Sequence, residues 1–151
     1  MQIKTVRFST TNQAEFISDL RKQVKDYFES NNISTYGNRK MVIKTIFMFA
    51  LYFVPYLLML TGVITNMWLV LGMWALMGLG KSGIGLSVMH DANHNAYSKN
   101  KYVNKYLSYV MNMIGANSYI WKIQHNVLHH TFTNIDGMDE DIDPGKLMRL
   151  S

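Results

Sequence analysis

The 151-residue chain has five histidines, and all of them fall in two short clusters. The first is His90-Asp-Ala-Asn-His94 and the second is His125-Asn-Val-Leu-His129-His130. Imidazole is the commonest protein metal ligand, and residues four apart share one face of a helix. His90 and His94 can therefore grip one ion from a single helical turn, and His125 and His129 can do the same. His130, turned about 100° from His129 by the helix period, would reach a second ion beside the first. The ordinary alternative is a pair of hydrogen-bonded structural clusters, but histidines placed at random would rarely leave the rest of the chain without one.

The surrounding residues narrow the chemistry. The chain contains no cysteine, so it offers neither a disulfide nor a thiolate ligand. A zinc peptidase of the H-E-x-x-H type needs a glutamate base beside its first ligand, and Asp91 and Asn126 occupy those positions. Haem held between membrane helices takes one ligand per face rather than a pair plus a doublet. An all-nitrogen, histidine-rich site suits iron, and two neighbouring ions suit oxygen activation. Ala75 to Ser82 loosely matches a phosphate loop through Gly80-Lys81-Ser82, but such a loop follows a strand. Here the stretch lies inside an apolar run.

These side chains must be positioned by apolar elements. Thr45 to Thr65 is 21 residues without a charge, and Asn66 to Gly80 adds 15 more. About 20 helical residues cross a hydrocarbon core of about 30 Å, so spans are expected at 44–63 and 67–89. The turn around Thr65 and Asn66 is too short for anything but a hairpin. Arg39, Lys40 and Lys44 precede the first span, Lys99, Lys101 and Lys105 follow the second, and the turn has no base. That asymmetry puts both flanks, and both histidine clusters, on the cytoplasmic side. The net charge of +5 beside a membrane span reads as contact with anionic lipid and a topology signal rather than as nucleic-acid binding. Forty mixed polar residues before the first apolar run are unlike a signal peptide.

Other features follow from pattern. Residues 12–30 predict an amphipathic helix, with Phe16, Leu20, Val24 and Phe28 on one face and Asn12 with Glu15 resembling a capping box. This helix either packs on the rest of the protein or lies on a membrane surface. Pro55 would kink the first span. Lys81 can extend its stem to the headgroups, and Gly78, Gly80, Gly83 and Gly85 would let helices approach closely. Tyr106 to Trp121 is too short and polar to span. It predicts an interfacial or re-entrant segment with Tyr106, Tyr109, Tyr119 and Trp121 at headgroup level. The acidic run 136–143 reads first as a solvated loop, and second as a surface for a basic donor protein. The expected fold is all-α and integral to the membrane: a cytoplasmic segment 1–40 with the amphipathic helix, then 41–151 with one transmembrane hairpin and cytoplasmic histidine-bearing helices.

The stretch Gly85-Leu-Ser-Val-Met-His-Asp-Ala-Asn-His-Asn-Ala-Tyr-Ser resembles the first histidine box of the membrane fatty acid desaturases. Trp121-Lys-Ile-Gln-His-Asn-Val-Leu-His-His-Thr-Phe-Thr-Asn is similar to the second. The tail from Asp139 to Ser151 looks like the acyl-CoA and acyl-lipid branch that includes the front-end desaturases. The resemblance implies a di-iron centre held by His90, His94, His125, His129 and His130, which uses O2 to remove hydrogen from adjacent methylenes of an acyl chain. Asp91 is the candidate to accept the other N–H of a nearby imidazole. The resemblance also implies an acyl-CoA or acyl-lipid substrate and an electron donor such as ferredoxin or cytochrome b5.

The family's third box, H/Q-x-x-H-H, has no counterpart here. Residues 41–151 are therefore expected to be the N-terminal part of a longer desaturase domain, inactive by themselves. No His-Pro-Gly-Gly haem motif marks a fused cytochrome b5 domain. A histidine-box hydroxylase or ketolase is the nearest alternative function, and a non-catalytic membrane metal-binding fragment is the other.

Overall fold

A computed structural model describes residues 14–135 and 137–142, apart from the side chain of Glu140. Asn12, Asp136 and the residues after Ile142 lie outside that set, so the expected capping box and much of the acidic tail go without a structural account. Every regular element among the described residues is helical. The chain divides into two compact units, residues 1–35 and 36–151.

In the first unit, α1 (Ala14–Ser30) forms as the periodicity predicts. Gln23 donates to Asp19 at 2.8 Å, and Lys25 pairs with Glu29 at 3.6 Å, each one turn apart on the polar side. Phe16, Leu20 and Val24 stay exposed.

The second unit opens with the hairpin. Asn38 starts α2 (Arg39–Leu60) by accepting the Met41 amide at 3.1 Å. Pro55 lies inside α2 without ending it. The turn then reverses through Gly62, whose φ of +72° is open to glycine without strain. Asn66 caps α3 (Met67–Gly83) by accepting the Trp68 and Leu69 amides.

The second helix of the hairpin does not stop where hydropathy fades. It continues from α3 through a π-helical stretch, Ile84–Met89, into α4 (His90–Asn93). Arg39–Leu60 and Met67–Asn93 are each long and apolar enough to cross a membrane, yet only 11% of either apolar window is buried. A soluble protein would bury such helices. Here Leu60, Trp68, Trp74 and Leu79 stand in the open, which suits hydrocarbon rather than water as solvent. The chain is an all-helical integral membrane protein.

The close approach of the two helices falls to two of the four glycines expected to provide it. A Cβ on Gly80 would lie 2.7 Å from the Tyr52 backbone nitrogen and 3.0 Å from the Leu51 carbonyl carbon. One on Gly83 would meet the flexible Met48 side chain, whereas Gly78 and Gly85 face open space.

Beyond α4 the chain turns back through Tyr97. This side chain packs on Val88 and Ala92 and hydrogen-bonds Thr45 Oγ1 of α2 at 2.8 Å. α5 (Lys101–Met113) follows, capped by Asn100. It buries Asn104 and Ser108 along with Val110 and Met111, while Tyr102, Tyr106, Tyr109 and Met113 face outward. Asn104 holds the preceding loop by accepting the Ser98 amide at 2.8 Å and donating to the Ser98 carbonyl at 2.7 Å. Asn117 then caps α6 (Ser118–Trp121), which runs into a second π-helical stretch, Lys122–His129, and the short α7 (His130–Phe132).

Candidate metal centre

Each histidine cluster sits at a π-helical segment. The first π stretch ends at Met89, and His90 and His94 follow on and just past α4. The second carries His125 and His129 and passes directly into His130. The two segments are tied together where Asn126 donates to the Asn93 carbonyl at 3.2 Å.

The five imidazoles converge. Ring centres of His90 and His94 are 4.7 Å apart, and those rings lie 5.1 and 5.2 Å from His125. His130 is 4.9 Å from His94. An α-helical turn would place only His129 over His125, with His130 swung away. The observed turn is wider: the His130 amide donates to the His125 carbonyl, five residues back. Residues four and five positions on therefore flank His125 about equally, at 4.9 Å for His129 and 5.0 Å for His130. The doublet joins one cluster instead of pointing two ways.

Two groups have ligand atoms within 4.8 Å of one another: His90 with His94 and His125, and His125 with His129 and Asp141. His125 Nε2 is buried and has no hydrogen-bond partner. A buried polar nitrogen left unpaired is costly, and a bound cation would relieve that cost. Burial holds the His94 imidazole below its ordinary pKa, and His90, His125 and His130 add to the effect against the opposing pull of Asp91. A depressed pKa keeps the ring neutral, the form that binds metal.

The pattern of the family described as fatty acid desaturase matches residues 65–150, more than half of the chain. It belongs to that family. A 6-desaturase acting on sn-1 linoleoyl-lipid from Arthrospira platensis is 38% identical over 90% of this chain and 37% of its own length. An acyl-lipid (8-3)-desaturase from Physcomitrium patens is 31% identical over 91% of the chain and 28% of its own length. A second sn-1 linoleoyl-lipid 6-desaturase, from Synechocystis, is 32% identical over 96% and 40%. The chain thus spans well under half the length of these relatives. No solved structure matches it.

In this chain of the desaturase family, the carboxylates nearest the histidines are not confined to Asp91. Asp91 Oδ1 lies 3.2 Å from His90 Nδ1. The solvated loop expected over 136–143, however, contains Asp139, which is 1% exposed. Asp139 Oδ1 lies 2.9 Å from His129 Nδ1, and Asp141 Oδ2 hydrogen-bonds His125 Nδ1. Burial pushes the Asp139 carboxyl up, but His129 and the Asn134 and Asp141 amides outweigh it and hold the group below its ordinary pKa. The excess of acids just after the second box was the available signal, and composition alone favoured solvent.

Trp121 joins the cluster as well, a contact its expected place at the headgroups did not bring out: it stacks on His125 with ring centres 4.3 Å apart, and its edge meets His90 at 5.7 Å. Its position four residues before His125 is the signal that could have found it. A groove of about 600 Å³ reaches this cluster, with Leu86, Met89, Met111 and Ile114 along its sides and Lys81 at its lining.

Proposed function

We propose that this chain is part of an iron-dependent membrane fatty acyl desaturase. The observation that supports this most directly is the convergence of five imidazoles from two segments around a buried, unpartnered His125 Nε2, in a chain of this family. His90, His94, His125, His129 and His130 would hold the metal. Nitrogen donors without thiolate suit iron. When bound, a di-iron pair supplies the O2-dependent oxidation that converts two adjacent methylenes to a double bond, with two electrons from a donor such as ferredoxin or cytochrome b5 and with water as the other product.

The chain's own residues supply placement. Leu86, Met89, Met111 and Ile114 give the groove beside His90 and His125 apolar sides on which an acyl chain can lie. Trp121 walls the cluster and excludes water from one side of His125. Asp91 steadies His90. The three relatives are named as lipid-linked desaturases, which favours an acyl-lipid over an acyl-CoA as the carrier.

Within the membrane, the basic flanks would keep both ends of the hairpin in the cytoplasm. Residues 1–40 would form a cytoplasmic segment and 41–151 part of the desaturase domain, as a multi-pass protein. The exposed aromatic face of α5 fits the headgroup level. The remaining ligands would come from a third box outside these residues, and the 151 residues alone would not desaturate.

The test is expression of the full-length protein in a host supplying iron and a reductase, followed by mass analysis of the membrane fatty acids. Products lighter by two hydrogens are expected. Products heavier by one oxygen would establish the hydroxylase instead, and bound metal without any product would leave only the metal-binding reading.

A further inference from the structure

We infer that Asp139 and Asp141 are positioning residues that hold His129 and His125 as Nδ1–H tautomers, with both Nε2 atoms free to bind metal. This rests on the metal-site reading above.

Asp139 is almost fully buried, and both of its oxygens are engaged. Oδ1 takes the Asp141 amide at 3.1 Å as well as facing His129 Nδ1, and Oδ2 takes the Asn134 amide at 2.8 Å. These bonds close a turn that starts in a left-handed residue, Asn134 at φ +63°, and passes another, Gly137 at φ +74°. The closed turn delivers the Asp141 carboxylate to His125. One buried carboxylate thus orients one imidazole directly and a second through its neighbour.

An ionised carboxylate can only accept hydrogen bonds, so the ring nitrogen facing it carries the proton. The lone pair is then on Nε2, across the ring from Asp141. His125 Nε2 is the atom found buried without a partner, and the ring centres of His90, His94 and His130 lie 5.0–5.2 Å from that of His125. The rival arrangement is a cation shared by Asp141 and the Nδ1 atoms. It would put the proton on Nε2 and bury that N–H with no acceptor. Carboxylate partners of metal-bound histidines fix ring orientation and raise ligand basicity.

The experiment uses the full-length protein, stripped of metal and titrated with Co(II), whose ligand-field absorption reports binding. Asp139→Asn and Asp141→Asn should each weaken binding by about ten- to a hundredfold. The double variant His125→Ala/Asp141→Asn should lose no more than His125→Ala, because Asp141 acts through that ring. Unchanged affinity in Asp139→Asn, or additive loss in the double variant, would overturn the inference. Because Asp139→Asn also touches the Asn134 turn, a measurement on unaltered protein stands beside it. Histidine 15N spectra of the Zn(II)-loaded protein, assigned with single His→Gln variants, should show Nε2 coordination and Nδ1–H at both His125 and His129. Nδ1 coordination at either residue overturns the proposal. Wild-type protein that binds neither metal would overturn the metal-site reading itself.

Discussion

The hairpin and the histidine region are built on opposite principles. In α2 and α3, apolar side chains face outward, and contact between the helices rests on absence, the missing Cβ atoms of Gly80 and Gly83. Around the histidines the packing is polar and directional: Asn126 ties the two boxes, Asn104 and Asn117 fix the turns, and Asp139 closes the loop behind His129. Lipid solvates apolar faces at no cost, so the hairpin needs only length, hydropathy and a close crossing. A site that must hold several neutral imidazoles near one another needs each ring oriented, and hydrogen bonds do that. Substitutions should therefore be forgiven on the hairpin surface and punished in the polar region.

The largest effect tests that contrast directly. In the full-length protein, His90→Ala, His94→Ala, His125→Ala, His129→Ala and His130→Ala should each abolish desaturation and lower bound iron. Trp68→Ala, at a side chain 73% exposed on the hairpin, should leave the product yield within about twofold, because exposed sites away from special features change stability little. Full activity in any one histidine variant would remove that residue from the ligand set. A purified protein with a Soret band would favour haem over the whole arrangement.

Orientation of the hairpin gives an all-or-none result. The chain has no cysteine, so single introduced thiols can report which side of a sealed vesicle they face. Asn66 and Asn100 look like natural positions, but both cap helices, and losing a cap costs about 0.5–2 kcal/mol. Thr65→Cys and Lys99→Cys are adjacent and spare the caps. The two should label from opposite sides, with Lys99→Cys on the cytoplasmic face. Labelling of both from one side would contradict the hairpin.

Within the hairpin, Gly80→Ala should destabilise by about 1–3 kcal/mol, as overpacking does, because its new methyl meets the backbone of Leu51 and Tyr52. Gly83→Ala should cost less, since Met48 can move aside, and Gly78→Ala should cost nothing measurable. Thermal aggregation of the detergent-solubilised full-length protein ranks the three. Equal behaviour of Gly80→Ala and Gly78→Ala would mean the crossing is not where the structure has it.

Legibility divided along the same line. The spans, the short reversal, the amphipathic α1 and the clustering of His90, His94, His125, His129 and His130 were all readable, because length, hydropathy and side-chain type report them locally. The π-helical turns were not. No residue type marks a hydrogen bond that runs to the fifth residue instead of the fourth, so the equal approach of His129 and His130 to His125 was not readable. The stack of Trp121 on His125 was not readable either, because an amphipathic aromatic ring suits headgroups as well as it suits an imidazole. Asp139 was hidden for a related reason. Five acids in a row of eight residues look solvated by composition, and only the closure of the Asn134–Asp141 turn buries one of them.

The smallest expected effect is a pH dependence that separates His94 from Asp139 in the metal-free protein. His94 is shifted below its ordinary 6.5, so the unfolded chain takes up this proton before the folded one. Stability from this group is unaffected well above pH 6.5, declines as pH falls below it, and stops declining under the lowered native pKa. Asp139 is shifted below its ordinary 3.8. Its contribution is present in full above that value and is lost only as pH falls further, through the native pKa. The two windows do not overlap near neutrality. Urea unfolding of the stripped full-length protein should therefore show a decline between pH 7.5 and 5.5 that His94→Gln reduces and Asp139→Asn leaves in slope. A decline unchanged by His94→Gln would mean that the crowding of His94 by His90, His125 and His130 is relieved in the metal-free protein, and that the five rings gather only around the ion.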